Sequence, residues 1–350
     1  MSVRLAAPCA RSQDEEGTMA VPGRKFAAVV CLLLVSPLVA EYLLGDLPIT
    51  LLAVLAVLVP AYGGAAVLVR ETARRRGQGW PGMLLLGAAY GLASEGLVTQ
   101  SLFNPDYLKI HMHLLDHAYV PEWGIGAWWT LLMLNLHTFW SMGVSIALVE
   151  ALFPEEAHVP WLGRGGVALV AVVFVLGSAA SFAIGWKQNH FVASAAQLVS
   201  VAGLSLLLVG AAWLLPVRGA SAGAGGVPSP WATGAATFVL GMGVLQTPAR
   251  WGWGAVLAML ALDAVFLMLL SVYTQRAKWG GLHALSVAAA GAMDYGVRAF
   301  AQKPLLGGIV AMRVSNAVLL VAAVWLVWLG ARRVVRARQA AQQAARHFGS

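Results

Sequence analysis

A carboxylate and an imidazole occur in two consecutive apolar stretches of the chain. Glu95 lies within a Ser-Glu-Gly-Leu-Val-Thr-Gln segment, and His137 lies in the next apolar stretch together with Asn135 and Ser141. Ionisable side chains are costly inside a bilayer and usually mark a functional site when they occur there. A glutamate and a histidine within reach of each other could activate a water molecule, so Glu95 and His137 are the candidate catalytic residues.

The spacing of small residues indicates how these two side chains could meet. Gly87 and Gly91 precede Glu95 at intervals of four residues, so all three share one face of a helix. Small residues allow a neighbouring helix to approach closely. Because consecutive membrane helices usually pack against each other, we expect Glu95 to face His137.

Polar side chains in several apolar stretches form a second set of candidates. We interpret the following residues as candidate substrate-binding or ion-binding residues: Glu41, Asn135, Ser141, Asp263, Asp294, Arg298, Arg313 and Asn316. At about 1.5 Å of rise per helical residue, the ionisable members fall in the half of the membrane away from the chain termini. We expect this layer to surround a polar cavity.

Two pairings are expected within this layer. Asp294 and Arg298 are four residues apart and could form an ion pair on one helix. Arg313 shares a helix face with Asn316, and its candidate counter-ions are Glu41, Glu95 and Asp263. The alternative is that these charges only hold the helices in one arrangement.

The polar loop between the Glu95 stretch and the His137 stretch carries three histidines. His113 and His117 would share a face if the segment were helical, and His111 lies beside them, so the three are candidate metal ligands. The alternative, which we prefer, is an interfacial segment with solvated imidazoles. The chain has no motif typical of a nucleotide, zinc-protease or prenyl-diphosphate site, so we expect no cofactor.

Composition determines what kind of elements must position these residues. The chain is 59% hydrophobic and only 11% charged, whereas soluble domains have about 25% charged residues. Within lipid every backbone polar group must be satisfied inside its own segment, which requires helices. The sequence therefore predicts an all-α, polytopic membrane protein and excludes a soluble domain.

About ten spans of sufficient apolar length can be placed along the chain. The predicted spans are 26–44, 49–69, 81–102, 126–151, 166–186, 193–215, 232–248, 254–273, 282–300 and 306–330. We expect a disordered cytoplasmic tail at 1–24, a six-span bundle at 25–215 that contains the polar site, a flexible cytoplasmic linker at 216–231, a four-span bundle at 232–330 and a basic cytoplasmic tail at 331–350.

The distribution of basic residues predicts the orientation. Of the 23 lysines and arginines, 17 fall on the side of the two termini and 4 on the opposite side. Cytoplasmic loops carry such an excess, so we expect both termini in the cytoplasm and the protein in the plasma membrane. The basic residues lie in short loops, so the expected partners are membrane lipids and a small-molecule, lipid or peptide substrate, and not nucleic acid.

The segment from Ser94 to Thr99, with His137, resembles the CAAX-protease and bacteriocin-processing family of intramembrane enzymes. That family has Glu-Glu-x-x-x-Arg on one span and Phe-x-x-x-His on the next. The resemblance implies that Glu95 is a general base for peptide cleavage and that His137 is its partner. The chain has Ser94, Thr99 and Met133 where the family has Glu, Arg and Phe. It is also similar to uncharacterised multi-pass bacterial membrane proteins.

Three functions remain open at this point. The first is an intramembrane hydrolase that uses Glu95 and His137. The second is a transporter or permease-like protein in which Glu95, Asp263 and Arg313 bind substrate or relay protons. The third is a structural membrane subunit.

Overall fold

The computed structural model describes residues 22–109, 111, 113–215, 225–302 and 308–348. Within these residues the chain forms ten long helices. They are α1 (Gly23–Leu43), α2 (Ile49–Arg75), α3 (Gly79–Val98), α4 (Ala127–Leu152), α5 (Arg164–Asn189), α6 (Ala195–Leu214), α7 (Pro230–Leu245), α8 (Trp253–Tyr273), α9 (Gly281–Arg298) and α10 (Ile309–Phe348). Most of the predicted 1–24 tail and of the 216–231 linker lies outside the described residues.

The prediction of an all-α membrane protein is confirmed. Eight of the ten helices in the described part of the chain are long and apolar enough to cross a membrane, and α7 and α9 are the two that do not reach this threshold. α9 has a buried histidine, aspartate and tyrosine, which lower its mean hydropathy. α10 continues well past the predicted end at residue 330, as one helix into the basic tail.

Short elements connect the long helices. β1 (Tyr119–Val120) and β2 (Ile125–Gly126) form a small antiparallel hairpin in the loop before α4. Single 3₁₀ turns occur at Tyr107–Lys109, Pro154–Glu156 and Ala249–Trp251.

The helices run back and forth between two sides of the bundle. We call the side with Arg24 and Arg333 the tail side: Arg24 pairs with Glu155 at 2.5 Å, and Arg333 donates to the carbonyl of Leu152 at 2.6 Å. The opposite, loop side holds the long loop between α3 and α4. Ten helices bring the chain back to the side on which α1 begins.

Helix α4 occupies the centre of the bundle. In its apolar stretch 83% of the residues are buried, a larger share than in any other of the eight spans. α3 packs so closely on one face of α4 that a Cβ on Gly91 would lie 2.7 Å from the Cβ of His137. α9 packs on another face, with Gly291 against Val144 and Trp140. Gly91, one of the small residues predicted to allow close helix approach, therefore lets α3 and α4 pack in direct contact.

Helices α1 to α4 each depart from regular α-helix in their middle or at their loop-side end. Each contains a π-helical segment: Leu38–Leu43 in α1, Val59–Gly63 in α2, Ser94–Val98 in α3 and Leu136–Val144 in α4. Pro37 precedes the first of these segments and Pro60 lies within the second, and proline removes an intrahelical hydrogen bond. π-helical turns are rare and occur frequently at functional sites.

The tail-side halves of α2 and α4 are regular and carry an ion-pair network. Arg70 donates to Glu71 and to Glu150, both at 3.0 Å, and Arg74 donates to Glu150 at 2.5 Å. The guanidinium of Arg70 lies 3.3 Å from the centroid of the Trp161 ring. We call Arg70, Glu71, Arg74 and Glu150 the tail-side network.

Candidate functional site

The carboxylate of Glu95 and the imidazole of His137 face each other between α3 and α4. Oε1 of Glu95 lies 3.4 Å from Nε2 of His137. Both side chains are buried, with 7% and 6% of their surfaces exposed. The structure thus brings the two candidate catalytic residues into direct contact.

The second carboxylate oxygen of Glu95 is held by hydroxyl groups. Oε2 accepts a hydrogen bond from Thr99 at 3.1 Å and a second one from Ser101. The indole of Trp129 donates to the Ser101 oxygen at 3.3 Å, which leaves the Ser101 proton free to point at Glu95. Donors of this kind stabilise the ionised carboxylate and fix its orientation.

A left-handed residue brings Ser101 into this position. Gln100 follows the end of α3 and has a φ of 57°. This conformation reverses the chain, so Ser101 turns back onto the helix end, and the Gln100 amide oxygen accepts a bond from Ala193 at 2.7 Å. A left-handed conformation costs a residue other than glycine roughly 1–2 kcal/mol. Strain of this kind is often found at functional sites.

The protonation of His137 follows from its partners. Nδ1 lies 2.9 Å from the carbonyl oxygen of Met133, which can only accept, so Nδ1 carries a proton. Nε2 faces the Tyr62 hydroxyl and Oε1 of Glu95, each at 3.4 Å. Nε2 therefore faces a hydroxyl that can donate to it and a carboxylate that can accept from it.

Aromatic rings and a second carboxylate complete the surroundings. The His137 ring lies 5.8 Å from Tyr62, in a stacked arrangement, and 5.6 Å from Tyr90. The Tyr62 hydroxyl interacts with the carboxylate of Glu41. That carboxylate also interacts electrostatically with the carboxylate of Glu95. Glu41, Tyr62, Glu95 and His137 lie in the four π-helical segments, one in each; we call these four residues the dyad cluster.

A polar path extends from Glu41 to the loop-side surface. Gln302 donates to Asp46 at 2.9 Å, and Arg298 donates to Gln302 at 2.7 Å. Burial raises the pKa of Asp46 to about 6, although Arg298 and Gln302 act in the opposite direction. Asp46 therefore changes its charge near physiological pH.

Two of the candidate binding residues lie on another face of the bundle. Asn135 donates to Asp263 at 3.0 Å, and both residues line a cavity between α4 and α8. Ser141 donates to the carbonyl of Leu136 within its own helix, at 3.1 Å. The predicted single polar layer is therefore divided by α4, with the dyad cluster on one side and Asp263 on another.

The predicted ion pair between Asp294 and Arg298 is wrong. Arg298 is directed to Gln302, and neither oxygen of Asp294 accepts a hydrogen bond from the described part of the chain. Helical spacing places the two side chains on one face, but Arg298 at the end of α9 reaches the loop-side surface, where water lowers the cost of its charge.

The predicted counter-ions of Arg313 are also wrong. Arg313 donates to the backbone carbonyls of Ala299 and Phe300, and Asn316 donates to the carbonyl of Ala299 at 2.9 Å. The last carbonyls of a helix have no intrahelical partner, and cationic side chains stabilise that end. Arg313 and Asn316 thus cap α9 rather than join the dyad cluster.

The loop histidines have separate partners. His111 pairs with Asp106 at 3.0 Å, and His113 pairs with Asp116 at 3.1 Å. His117 contacts the Trp128 ring. His113 and His117 do not share a helical face, because this segment is irregular and His111 and His113 both have positive φ. Across the described residues, no group of three His, Cys, Asp or Glu side chains is arranged to hold a metal ion.

Sequence reasoning missed four residues of the site. They are Tyr62, Tyr90, Ser101 and Trp129. Pro60, two residues before Tyr62, is a signal that could have indicated an irregular turn at that point of α2. No comparable signal accompanies the irregular turns of α3 and α4, which depend on packing between the helices.

The chain was compared with known families, proteins and structures. The sequence model of one family, described as an uncharacterized membrane protein family, matches residues 30–348. No curated protein and no solved structure matches the chain. The comparisons thus give no link to the CAAX-protease and bacteriocin-processing family.

Proposed function

We propose that this chain, which belongs to that uncharacterized membrane protein family, is an intramembrane hydrolase in which Glu95 and His137 activate water. The observation that carries the proposal is the 3.4 Å contact between Oε1 of Glu95 and Nε2 of His137. Because Nδ1 is committed to a carbonyl, Nε2 is the ring nitrogen that faces Glu95 and a reacting water molecule, and proton transfer is what hydrolysis requires of a general base and its partner.

Each neighbour has a role in the proposed reaction. Thr99 and Ser101 hold one oxygen of Glu95, so the other stays aimed at His137 and at an incoming water molecule. The Tyr62 hydroxyl, which lies beside Nε2 of His137, would turn its one proton from Glu41 to a developing oxyanion. The π-helical segments place these groups inside the bundle, where electrostatic interactions are stronger than in water.

The surroundings of Glu95 also argue against a purely structural carboxylate. It lies near the C-terminal end of α3, where the helix dipole disfavours negative charge. Its partners within the described residues are two hydroxyls and His137, and none is a lysine or arginine. A carboxylate placed only for stability would gain more from a cation, as Glu150 does in the tail-side network.

A proton-coupled carrier is the second candidate. The observation that favours it is the series of carboxyl groups Glu95, Glu41 and Asp46, which interact electrostatically and lead from the dyad cluster to the loop-side surface. Such series relay protons in membrane pumps and transporters. Arg313 has no part in this candidate, because it caps α9.

One experiment separates the two candidates. The protein is reconstituted with a total membrane lipid extract and a membrane-peptide fraction in water enriched in ¹⁸O, and the products are examined by mass spectrometry. A hydrolase incorporates ¹⁸O into a new acid or phosphate group. We expect incorporation with the wild type, loss with Glu95→Gln and His137→Gln, and no change with the loop variant Asp116→Asn.

A parallel assay follows protons in vesicles that contain a pH-sensitive dye. Products without ¹⁸O, together with a proton flux that depends on Glu95, would show that the protein is the carrier and not the hydrolase. If both assays are negative and Glu95→Gln changes only the melting temperature, a structural role is the correct conclusion.

We further propose that the protein lies in the plasma membrane with its tail side in the cytoplasm. The excess of basic residues on the side of the termini supports this orientation. In a background without Cys9 and Cys31, a membrane-impermeant maleimide applied to intact cells should label Glu122→Cys on the loop side and leave Arg346→Cys unlabelled. The reverse pattern would invert the orientation.

A further inference from the structure

A large cavity lies on the side of α4 that faces away from the dyad cluster. Its volume is about 620 Å³, and its walls come from α3, α4, α7, α8 and α9. Most of its lining residues are apolar, among them Leu85, Phe139, Leu240, Phe266 and Leu267. The cavity is elongated, since residues of α8 from Leu260 to Ser271 line it, about 16 Å at the helical rise.

One wall of this cavity contains a carboxyl group without a partner. Asp294 has no exposed surface, and neither of its oxygens accepts a hydrogen bond of normal geometry from the described residues. The indole of Trp140 is close enough to interact with it, yet its N–H is also unsatisfied. An unpaired buried carboxyl costs several kcal/mol in apolar surroundings.

The carboxyl of Asp294 packs directly against backbone. A Cβ on Gly241 would lie 2.0 Å from Oδ2 of Asp294, so glycine is the residue that leaves room for it. A leucine or alanine at position 294 would line an apolar wall without the free-energy cost of burying a carboxyl group. The structure therefore keeps an expensive group at this position and provides space for it.

A second carboxylate lines the same cavity. Asp263 is half-buried on α8 and is held by Asn135 at 3.0 Å. No lysine or arginine is among the described residues that line the cavity. The cavity therefore combines two acidic groups with an extended apolar wall, and its own chain supplies neither of them with a cation.

We propose that this cavity binds an amphiphile with one apolar chain and a cationic amine head, whose ammonium group is attracted by the half-buried Asp263 and pairs with Asp294 when that side chain turns from Gly241 toward the cavity. The apolar walls accommodate the hydrocarbon chain, and the ammonium supplies the counter-ion that Asp294 lacks. The cavity is distinct from the dyad cluster, so the proposal does not depend on the hydrolase.

The test uses three probes with the same chain and different heads: dodecylamine, dodecan-1-ol and dodecanoate. Their affinities for the full chain in lipid nanodiscs are measured by calorimetry at neutral pH. We expect dodecylamine to bind about tenfold more tightly than dodecan-1-ol, because a desolvated charge pair is worth more than a neutral hydrogen bond, and dodecanoate to bind most weakly.

Variants assign this preference to the cavity. Asp294→Asn should bring the affinity for dodecylamine down to that for dodecan-1-ol and leave the alcohol unchanged, and Asp263→Asn should give a smaller loss of about threefold. Leu267→Trp fills the cavity and should weaken both probes. Asp116→Asn, in the exposed loop, is the matched control and should change neither.

The proposal is overturned by any of three results. They are equal or tighter binding of the alcohol by the wild type, a preference for the amine that persists in Asp294→Asn, and affinities that do not respond to Leu267→Trp. The last variant keeps the test decisive if Asp294→Asn fails to fold.

Discussion

Two regions of this bundle bury ionisable side chains along α2 and α4, and they differ in whether those side chains have counter-ions. In the tail-side network, Arg70 has Glu71 and Glu150 as counter-ions and donates in addition to three backbone carbonyls. In the dyad cluster, Tyr62 of α2 and His137 of α4 meet carboxyl groups that have no lysine or arginine beside them in the described part of the chain.

The backbone conformation also differs between these two regions. α2 is π-helical at Val59–Gly63 and regular at Gly64–Arg75, and α4 is π-helical at Leu136–Val144 and regular at Ser145–Leu152. Where charges are matched, the helix keeps its usual hydrogen bonds. Where carboxyl groups have no lysine or arginine beside them in the described part of the chain, the helix is π-helical. This contrast supports our proposal that the dyad cluster, and not the tail-side network, is the functional site.

The largest effect is expected from breaking the tail-side network. Arg70→Ala leaves Glu71 and Glu150 buried without their main partner, which should lower the free energy of unfolding by about 3–5 kcal/mol. Denaturant titration of the purified protein measures this change. Glu95→Gln should lower it by less than about 1 kcal/mol, because the amide keeps an oxygen that accepts from Thr99 and Ser101 and places a donor toward Nε2 of His137. Equal losses for both variants would remove the distinction between the regions.

The next effect concerns the contact between α3 and α4. Gly91→Ala places a methyl group 2.7 Å from the Cβ of His137 and should cost about 1–3 kcal/mol by separating the helices. Gly87→Ala is the matched control one turn away, where the nearest atoms are at 3.5 Å and the cost should be under about 0.5 kcal/mol. If both substitutions are equally tolerated, close packing at Gly91 does not position the dyad cluster.

A smaller effect on stability, with a larger effect on turnover, is expected at Ser101. Ser101→Ala removes one donor from Glu95 and should reduce ¹⁸O incorporation about tenfold while it lowers stability by about 1 kcal/mol. Trp129→Phe, which only orients Ser101, should act in the same direction and less strongly. A loss of stability with unchanged incorporation would make Ser101 structural.

The smallest effect is the dependence of stability on pH at Asp46. Its pKa is raised to about 6, so the folded state keeps the proton over a range in which the unfolded chain has lost it. Stability therefore decreases as pH rises from about 4 to about 6, by roughly 1 kcal/mol after allowance for partial solvation. Asp46→Asn should flatten this part of the profile. A wild-type profile that rises with pH in this range contradicts the assignment.

The membrane architecture could be predicted from composition because lipid leaves the backbone few choices. A stretch of apolar residues long enough to cross the bilayer has to be helical, so the positions of eight of the ten helices follow from hydropathy and length. The proximity of Glu95 and His137 could also be anticipated, since the two spans are consecutive and Gly91 allows close approach. Local pattern is sufficient for both predictions.

The partners of the individual charges could not be predicted in this way. Arg298 and Asp294 share a helix face, yet one reaches Gln302 at the surface and the other stays unpaired against Gly241. Arg313 caps α9, which depends on how α10 packs against it. Sequence spacing shows which residues share a face of a helix. Which partner each charged side chain reaches depends on how the neighbouring helices are rotated and on how far they are shifted along their axes.

The sequence by itself thus determined the class of the protein, the course of its helices and one buried carboxylate–imidazole pair. The tertiary structure alone decided that Glu41 and Tyr62 join that pair through π-helical turns, and that Asp294 lies without a counter-ion in the wall of a separate cavity. The physical reason is that hydrophobic length is a property of one segment, whereas the environment of a buried charge is the sum of all the helices around it.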